Sequence, residues 1–143
     1  MNPLFLIREF DPETDYPTIC DWHDAHGTTP PPLAILPRLG VIVFEEGGDM
    51  AGALWLYMDN SVGVCFPEHA VTRPRLSGAK VKRVGLVALE FLRMRAAELD
   101  YGVMIMNTLP IMGRIVAKYA GFEKVGDGKV TMIGLTKEVS NGN

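Results

Sequence analysis

The chain has 143 residues, of which 48% are hydrophobic and 22% charged, with a formal net charge of −3, a pI near 5.6 and a mean hydropathy of +0.12. These values suit one folded domain with its own core, and they exclude a disordered chain and a general nucleic-acid coat protein. No apolar run approaches the ~20 residues that a membrane span needs.

The N-terminal MNPLFLIREF lacks a basic start and a cleavage site, so it does not read as a signal peptide. Cys20 and Cys65 stand far apart and outside any CxxC pair. They read as two reduced core thiols of a soluble, cytoplasmic protein.

Leu4 to Phe10 is short and apolar, a first strand stopped by Asp11-Pro12. Asp15 is the expected N-cap of a helix through Ile19, Cys20, Trp22 and His23, with Pro17 in its first turn and Gly27 at its end. TTPPPLAILP follows, a stiff extended loop whose prolines forbid regular helix or central strand. Gly40 to Glu45, Met50 to Met58 and Val62 to Phe66 then read as an antiparallel meander, with turns at Glu46–Asp49 and Asp59–Ser61. Glu68 and His69 fall in the connection after the third of these strands.

The longest helix begins at Ser77, a plausible N-cap by residue type. Val81, Gly85, Ala88, Leu89, Leu92, Ala96 and Leu99 fall on one stripe, with Arg83, Glu90, Arg93 and Asp100 opposite. Gly85 and Ala88 would let this helix approach a sheet closely. Just before and within its first turns lie Arg73, Arg75, Lys80, Lys82 and Arg83, with no acid among them. A basic cluster at a helix N-terminus favours a localised anion, since the helix dipole and the free N–H groups act together there.

Val103 to Met106 is a short apolar strand after the exit Asp100-Tyr101-Gly102. A crossover of this length makes it parallel to the third meander strand. Leu109 to Ala120 is a last helix with Pro110 in its first turn. Glu123–Val125 and Val130–Leu135 form a final hairpin around Gly126-Asp127-Gly128, and residues 139–143 form a loose tail. Residues 1–143 thus form a single domain without repeats.

This order, together with Ala120-Gly121-Phe122 after an apolar helix, resembles the GNAT (GCN5-related N-acetyltransferase) family over essentially the whole chain. Ala25-His26-Gly27, Leu36-Pro37, and Glu68 with Pro74 resemble in particular its small phage- and prophage-encoded members. The resemblance implies an α/β (α+β) fold: a mixed sheet of about six or seven strands, an antiparallel meander, one splayed parallel pair, and helices on both faces. It implies direct acetyl transfer from acetyl-CoA to an amine. The acceptor is left open between a host-protein lysine, a small amine and an amine on a modified phage DNA base; no membrane partner is implied, and a homodimer is compatible.

By the same resemblance the fourth and fifth strands part, and the pantetheine pairs with backbone near His69, Ala70 and Val71. The pyrophosphate motif is offered by Arg75-Leu76-Ser77-Gly78-Ala79-Lys80, or in a second register by Lys82 and Gly85, with Arg73 and Arg83 adjoining. Asn107 would bond the pantetheine amide. Transfer to an amine needs a proton acceptor, for which Glu68 is the first candidate and His69 the second. Neighbours on a regular strand face opposite ways, so only one of them should face the substrate. The family's usual acid, a Tyr four residues before the Gly-Phe pair, is Ala117 here; Tyr119 is the nearest phenol. Trp22 and His26 lie where the fold covers the acceptor. His23 and His26 have metal-ligand spacing but no further ligand nearby, so no metal is expected. A module that binds CoA without turnover is the alternative.

Overall fold

The computed structural model describes residues 5–125 and 130–136. The start of the first expected strand at Leu4, the Gly126–Gly128 turn and the 139–143 tail lie outside them. Strands β1 (Leu6–Glu9), β2 (Gly40–Phe44), β3 (Met50–Met58), β4 (Val64–Thr72), β5 (Val103–Thr108), β6 (Glu123–Lys124) and β7 (Val130–Leu135) form one sheet in the order β1-β2-β3-β4-β5-β7-β6. All neighbours are antiparallel except β4 and β5. Helices α1 (Pro12–His26), α2 (Gly78–Glu98) and α3 (Pro110–Ala120) complete the described residues. None of these helices is long and apolar enough to cross a membrane.

Strand alternation divides the core in two. Val41 and Val43 of β2, and Leu54 and Leu56 of β3, pack against Val84, Ala88, Leu89, Leu92 and Ala96 of α2, with Val116 of α3. Ile42, Ala53 and Trp55 point the other way, onto Ile19 and Trp22 of α1. The α2 stripe differs from expectation at both ends. Val84 is buried, whereas Leu99 is 46% exposed.

The close approach of α2 comes from the sheet, not from Gly85. A Cβ on Gly52 would stand 2.4 Å from Val84 Cγ1, whereas one on Gly85 would meet nothing within 4 Å. Arg93, expected on the solvent face, instead reaches across the molecule. It donates to the Ala120 carbonyl at 2.6 Å and to that of Leu135 at 2.7 Å. Two carbonyls at the ends of α3 and β7 are thereby satisfied, as helix C-termini require.

The start of α1 also corrects the sequence reading. Asp11 is the cap, accepting from the Glu13 N–H at 3.1 Å, and Pro12 stands at the first helical position. Asp15 lies inside the helix and is fully buried. Arg8 donates to its two oxygens at 2.8 and 2.9 Å, and the Asp11 N–H donates at 2.7 Å. Burial pushes the Asp15 carboxyl up, but the Arg8 hydrogen bonds, the Asp11 N–H and the Arg8 charge outweigh it and hold it below the usual range.

The proline segment contains one 3-10 turn, Leu33–Ile35, and is fastened at two carbonyls. Tyr16 donates to Pro31 at 2.8 Å and Tyr57 donates to Ile35 at 2.7 Å. Cys20 and Cys65 are free thiols. Cys65 lies in the core, where burial pushes its pKa up to about 11.

Candidate active site

β4 runs through Glu68 and His69 to Thr72, well past the expected end at Phe66, because its pairing with β3 continues to Gly52↔Thr72. The ladder is not regular. Trp55 faces Glu68 and Ala53 faces Val71, so Leu54 alone stands opposite His69 and Ala70. That is a β-bulge, and its first residue, His69, has φ 64°. Only Val64↔Val103 and Cys65↔Met104 join β4 to β5 before the two strands part. Between them opens a cleft of about 350 Å³, bordered by Pro67–Thr72 of β4, by Val81, Val84 and Gly85 of α2, and by Met106–Thr108 of β5. Ile111, Met112 and Val116 of α3 supply its apolar side.

The bulge overturns the expectation that Glu68 and His69 face opposite ways. Glu68 lies across from Trp55, whose ring is in the α1-side core, and so shares that face and the company of Tyr57 two residues on. The left-handed turn brings His69 to the same place. Its Nε2 is 3.0 Å from the Tyr57 hydroxyl, with the two rings edge-on at 5.7 Å. Burial, and then the Glu68 charge, push the Tyr57 phenol above its usual pKa. Sequence reasoning passed over Tyr57, although its alternation with Trp55 on β3 was a usable signal.

Ala70 and Val71 border the cleft, as does Asn107, which lies within β5 instead of just beyond it. At the start of α2, Ser77 accepts from the Lys80 N–H at 3.3 Å. Gly78, Ala79 and Lys80 form the first turn, so the first N–H groups have no intrahelical partner. The two candidate glycines therefore have different positions. Gly78 opens the helix, and Gly85 borders the cleft with open space above its Cα.

The basic cluster is less free than its sequence suggests. Glu45, from the β2–β3 turn, holds Lys80 Nζ at 2.8 Å and forms an ion pair with Arg73. Those hydrogen bonds, Lys80 first, hold the Glu45 carboxyl below its usual range. Arg73 also donates to the Met50 carbonyl at 3.0 Å, so it acts as a strut between the end of β4 and the β2–β3 turn. Arg75, with φ 66°, is exposed, as is Arg83, and Lys82 is half-buried.

Tyr119 does not border the cleft. It is 52% exposed, with Lys82 Nζ 3.9 Å and Lys118 Nζ 5.2 Å from its ring centroid. Lys82 and then Lys118 draw its phenol below the usual pKa. Ala117 is exposed as well.

Trp22 is 6% exposed and packs with Ile19, Ile42 and Trp55, which makes it a core residue and not a contact for an acceptor. His26 is exposed, and its Nε2 donates to the Thr72 carbonyl at 2.8 Å, tying the end of α1 to the end of β4. His23 bonds Thr28 at 2.8 Å through Nδ1, while its buried Nε2 has no partner among the described residues. Burial, then the charges of His26 and His69, hold His23 below its usual pKa. Among the described residues no group of three His, Cys, Asp or Glu side chains could hold a metal.

No family model matches the sequence, and no curated protein does. Solved structures do match in shape. A Klebsiella pneumoniae protein proposed to be an acyl-CoA N-acyltransferase is 16% identical, with a TM-score of 0.70 over 95% of this chain and 100% of its own. A GNAT-superfamily phosphinothricin acetyltransferase from Sinorhizobium meliloti, solved with AcCoA, is 14% identical, with a TM-score of 0.68 over 92% of this chain and 88% of its own. N-acetylglutamate synthase from Neisseria gonorrhoeae, solved with coenzyme A and N-acetyl-glutamate, is 13% identical, with a TM-score of 0.69 over 96% of this chain and 36% of its own. The chain has the GNAT fold, and these neighbours include CoA-bound acetyltransferases.

Proposed function

We propose that this protein is an acyl-CoA-dependent N-acyltransferase acting by direct transfer, with acetyl as the acyl group. The parting of β4 from β5 carries the reading, because it opens a mostly apolar slot beside strand backbone and leads to Glu68 and His69. The slot suits an extended pantetheine, with Ala70 and Val71 supplying backbone partners and Asn107 a side-chain amide. The first turn of α2, with Lys82 and Arg83 beside it, suits the diphosphate. CoA, when bound, supplies the thioester to be attacked. Glu68 and His69 stand together as the candidate acceptors for the one proton the amine loses, and an N–H at Ala70 or Val71 can steady the charge that develops on the acyl oxygen. The motifs around His26, Pro37 and Glu68 favour a phage- or prophage-encoded enzyme working in the host cytoplasm.

Thermal shift with acetyl-CoA, followed by free-thiol release over a panel of amines, tests this reading. Stabilisation with turnover that Glu68→Gln reduces is expected. No stabilisation would overturn it. One observation favours a second reading, a CoA-binding module without turnover: the α3 side chains bordering the cleft are apolar, and the one phenol of α3, Tyr119, stacks with Lys82 outside it. Stabilisation without turnover on any amine would select it.

A further inference from the structure

Tyr57 has one hydrogen to donate and two contacts to fill. Its hydroxyl is 2.7 Å from the Ile35 carbonyl and 3.0 Å from His69 Nε2. A carbonyl oxygen can only accept, so the phenol hydrogen goes to Ile35. The second contact must then take its hydrogen from the imidazole, and Nε2 carries it. In a neutral ring this leaves the lone pair on Nδ1. Nδ1 makes no hydrogen bond to any described residue.

Two further observations agree with this assignment. The phenol is held protonated, since burial and then the Glu68 charge both disfavour its ionised form. The ring is also presented from a left-handed backbone position, at 64°, that a non-glycine residue adopts only when its surroundings enforce it. Here the bulge against Leu54 and the Tyr57 bond enforce it, and His69 borders the cleft as a result.

We propose that Tyr57, anchored on the Ile35 carbonyl, is a positioning residue that fixes His69 as its Nε2–H tautomer, so that Nδ1 is the atom that takes the proton of the acceptor amine. The inference rests on the acyltransferase reading above. As the amine nitrogen bonds to the acyl carbon, Nδ1 accepts the proton that nitrogen loses. The carbon–sulfur bond breaks, the thiolate leaves with the bonding pair, and it takes up a proton from solvent. His69 returns its own proton to solvent afterwards, so no oxidant or further reactant is needed. The proline segment thereby contributes to the chemistry through one carbonyl, although none of its side chains reacts.

Nitrogen-detected NMR of the imidazoles and steady-state kinetics test the proposal together. The neutral imidazole of His69 in the wild type should carry its proton on Nε2 and leave Nδ1 bare. Tyr57→Phe should let both tautomers appear and lower kcat several-fold with little change in KM for acetyl-CoA. His69→Gln keeps an N–H for Tyr57 but has no proton-accepting nitrogen, and it should lower kcat by about 100-fold or more while acetyl-CoA still stabilises the protein. A wild-type proton on Nδ1, or full turnover in His69→Gln, would overturn the proposal alone. The absence of turnover with every amine would overturn the transfer role together with the acyltransferase reading, and the NMR result would still decide the tautomer.

Discussion

Glu45 Oε1 lies 2.8 Å from Lys80 Nζ, and the same carboxylate is ion-paired with Arg73. One acid from the β2–β3 turn thus holds two of the cations near the start of α2 and offsets one of their two charges. Glu45→Gln should release them, and an anion bound there should bind more tightly. Titration of acetyl-CoA at two salt concentrations checks this: the variant should show higher affinity and a steeper fall with salt. Equal affinity in both proteins would place the diphosphate away from Lys80.

The Arg8–Asp15 pair fixes how β1 meets α1. Asp15→Asn removes a buried carboxylate that receives three hydrogen bonds, and it should lower stability by about 2 kcal/mol in chemical denaturation near neutral pH. The sign of the pH effect follows from the direction of the shift. A carboxyl depressed in the folded state contributes fully above its unfolded pKa of about 3.9, and the contribution is lost as pH falls towards and through the folded value. The difference between wild type and variant should therefore shrink on acidification below about pH 4.

Gly52 and Gly85 should respond oppositely to alanine. At Gly52 the new methyl would meet Val84 Cγ1 at 2.4 Å, and crowding there should cost about 1–3 kcal/mol. At Gly85 there is open space, and replacing a mid-helix glycine should stabilise by about 0.5–1 kcal/mol. Gly85→Leu would fill the cleft, so it should fold yet lose stabilisation by acetyl-CoA. Thermal melts with and without the ligand distinguish these outcomes.

Tyr119→Phe should keep turnover within about twofold of wild type, because the phenol faces Lys82 and does not border the cleft. A loss of a hundredfold or more would mean that proton donation to the leaving thiolate passes through this residue after all.

The architecture was legible where local pattern decides structure. GVIVF and MAGALWLYM announce β2 and β3, and the helical stripe from Ala88 to Ala96 announces α2 and its buried face. The parallel pairing of β4 with β5 followed from the strand–helix–strand crossover, and the parting of these strands from the family resemblance. What the sequence hid depends on distant partners. The bulge at His69 arises from the register of β4 against Leu54, and without it Glu68 and His69 would part company. Glu45 reaches Arg73 and Lys80 from another turn, so the basic run looked freer than it is. Asp15 looked like a helix cap because its partner, Arg8, sits on a separate strand. Trp22 looked like an acceptor contact because the resemblance places the end of the first helix over the acceptor, although its side chain is buried with Ile19, Ile42 and Trp55.

Two residue pairs join the halves of the sheet, Val64 with Val103 and Cys65 with Met104. Beyond them the β1–β4 half and the β5–β7 half share no ladder among the described residues, and α2 packs against β2, β3 and β4 of the first half. Arg93, by gripping carbonyls at the ends of α3 and β7, fastens the second half to α2. The molecule is thus built like a clothes-peg: a short hinge of paired backbone, with two jaws backed by one helix. The gap between the jaws is already open, so on the acyltransferase reading no sheet hydrogen bond has to break to admit an extended cofactor arm.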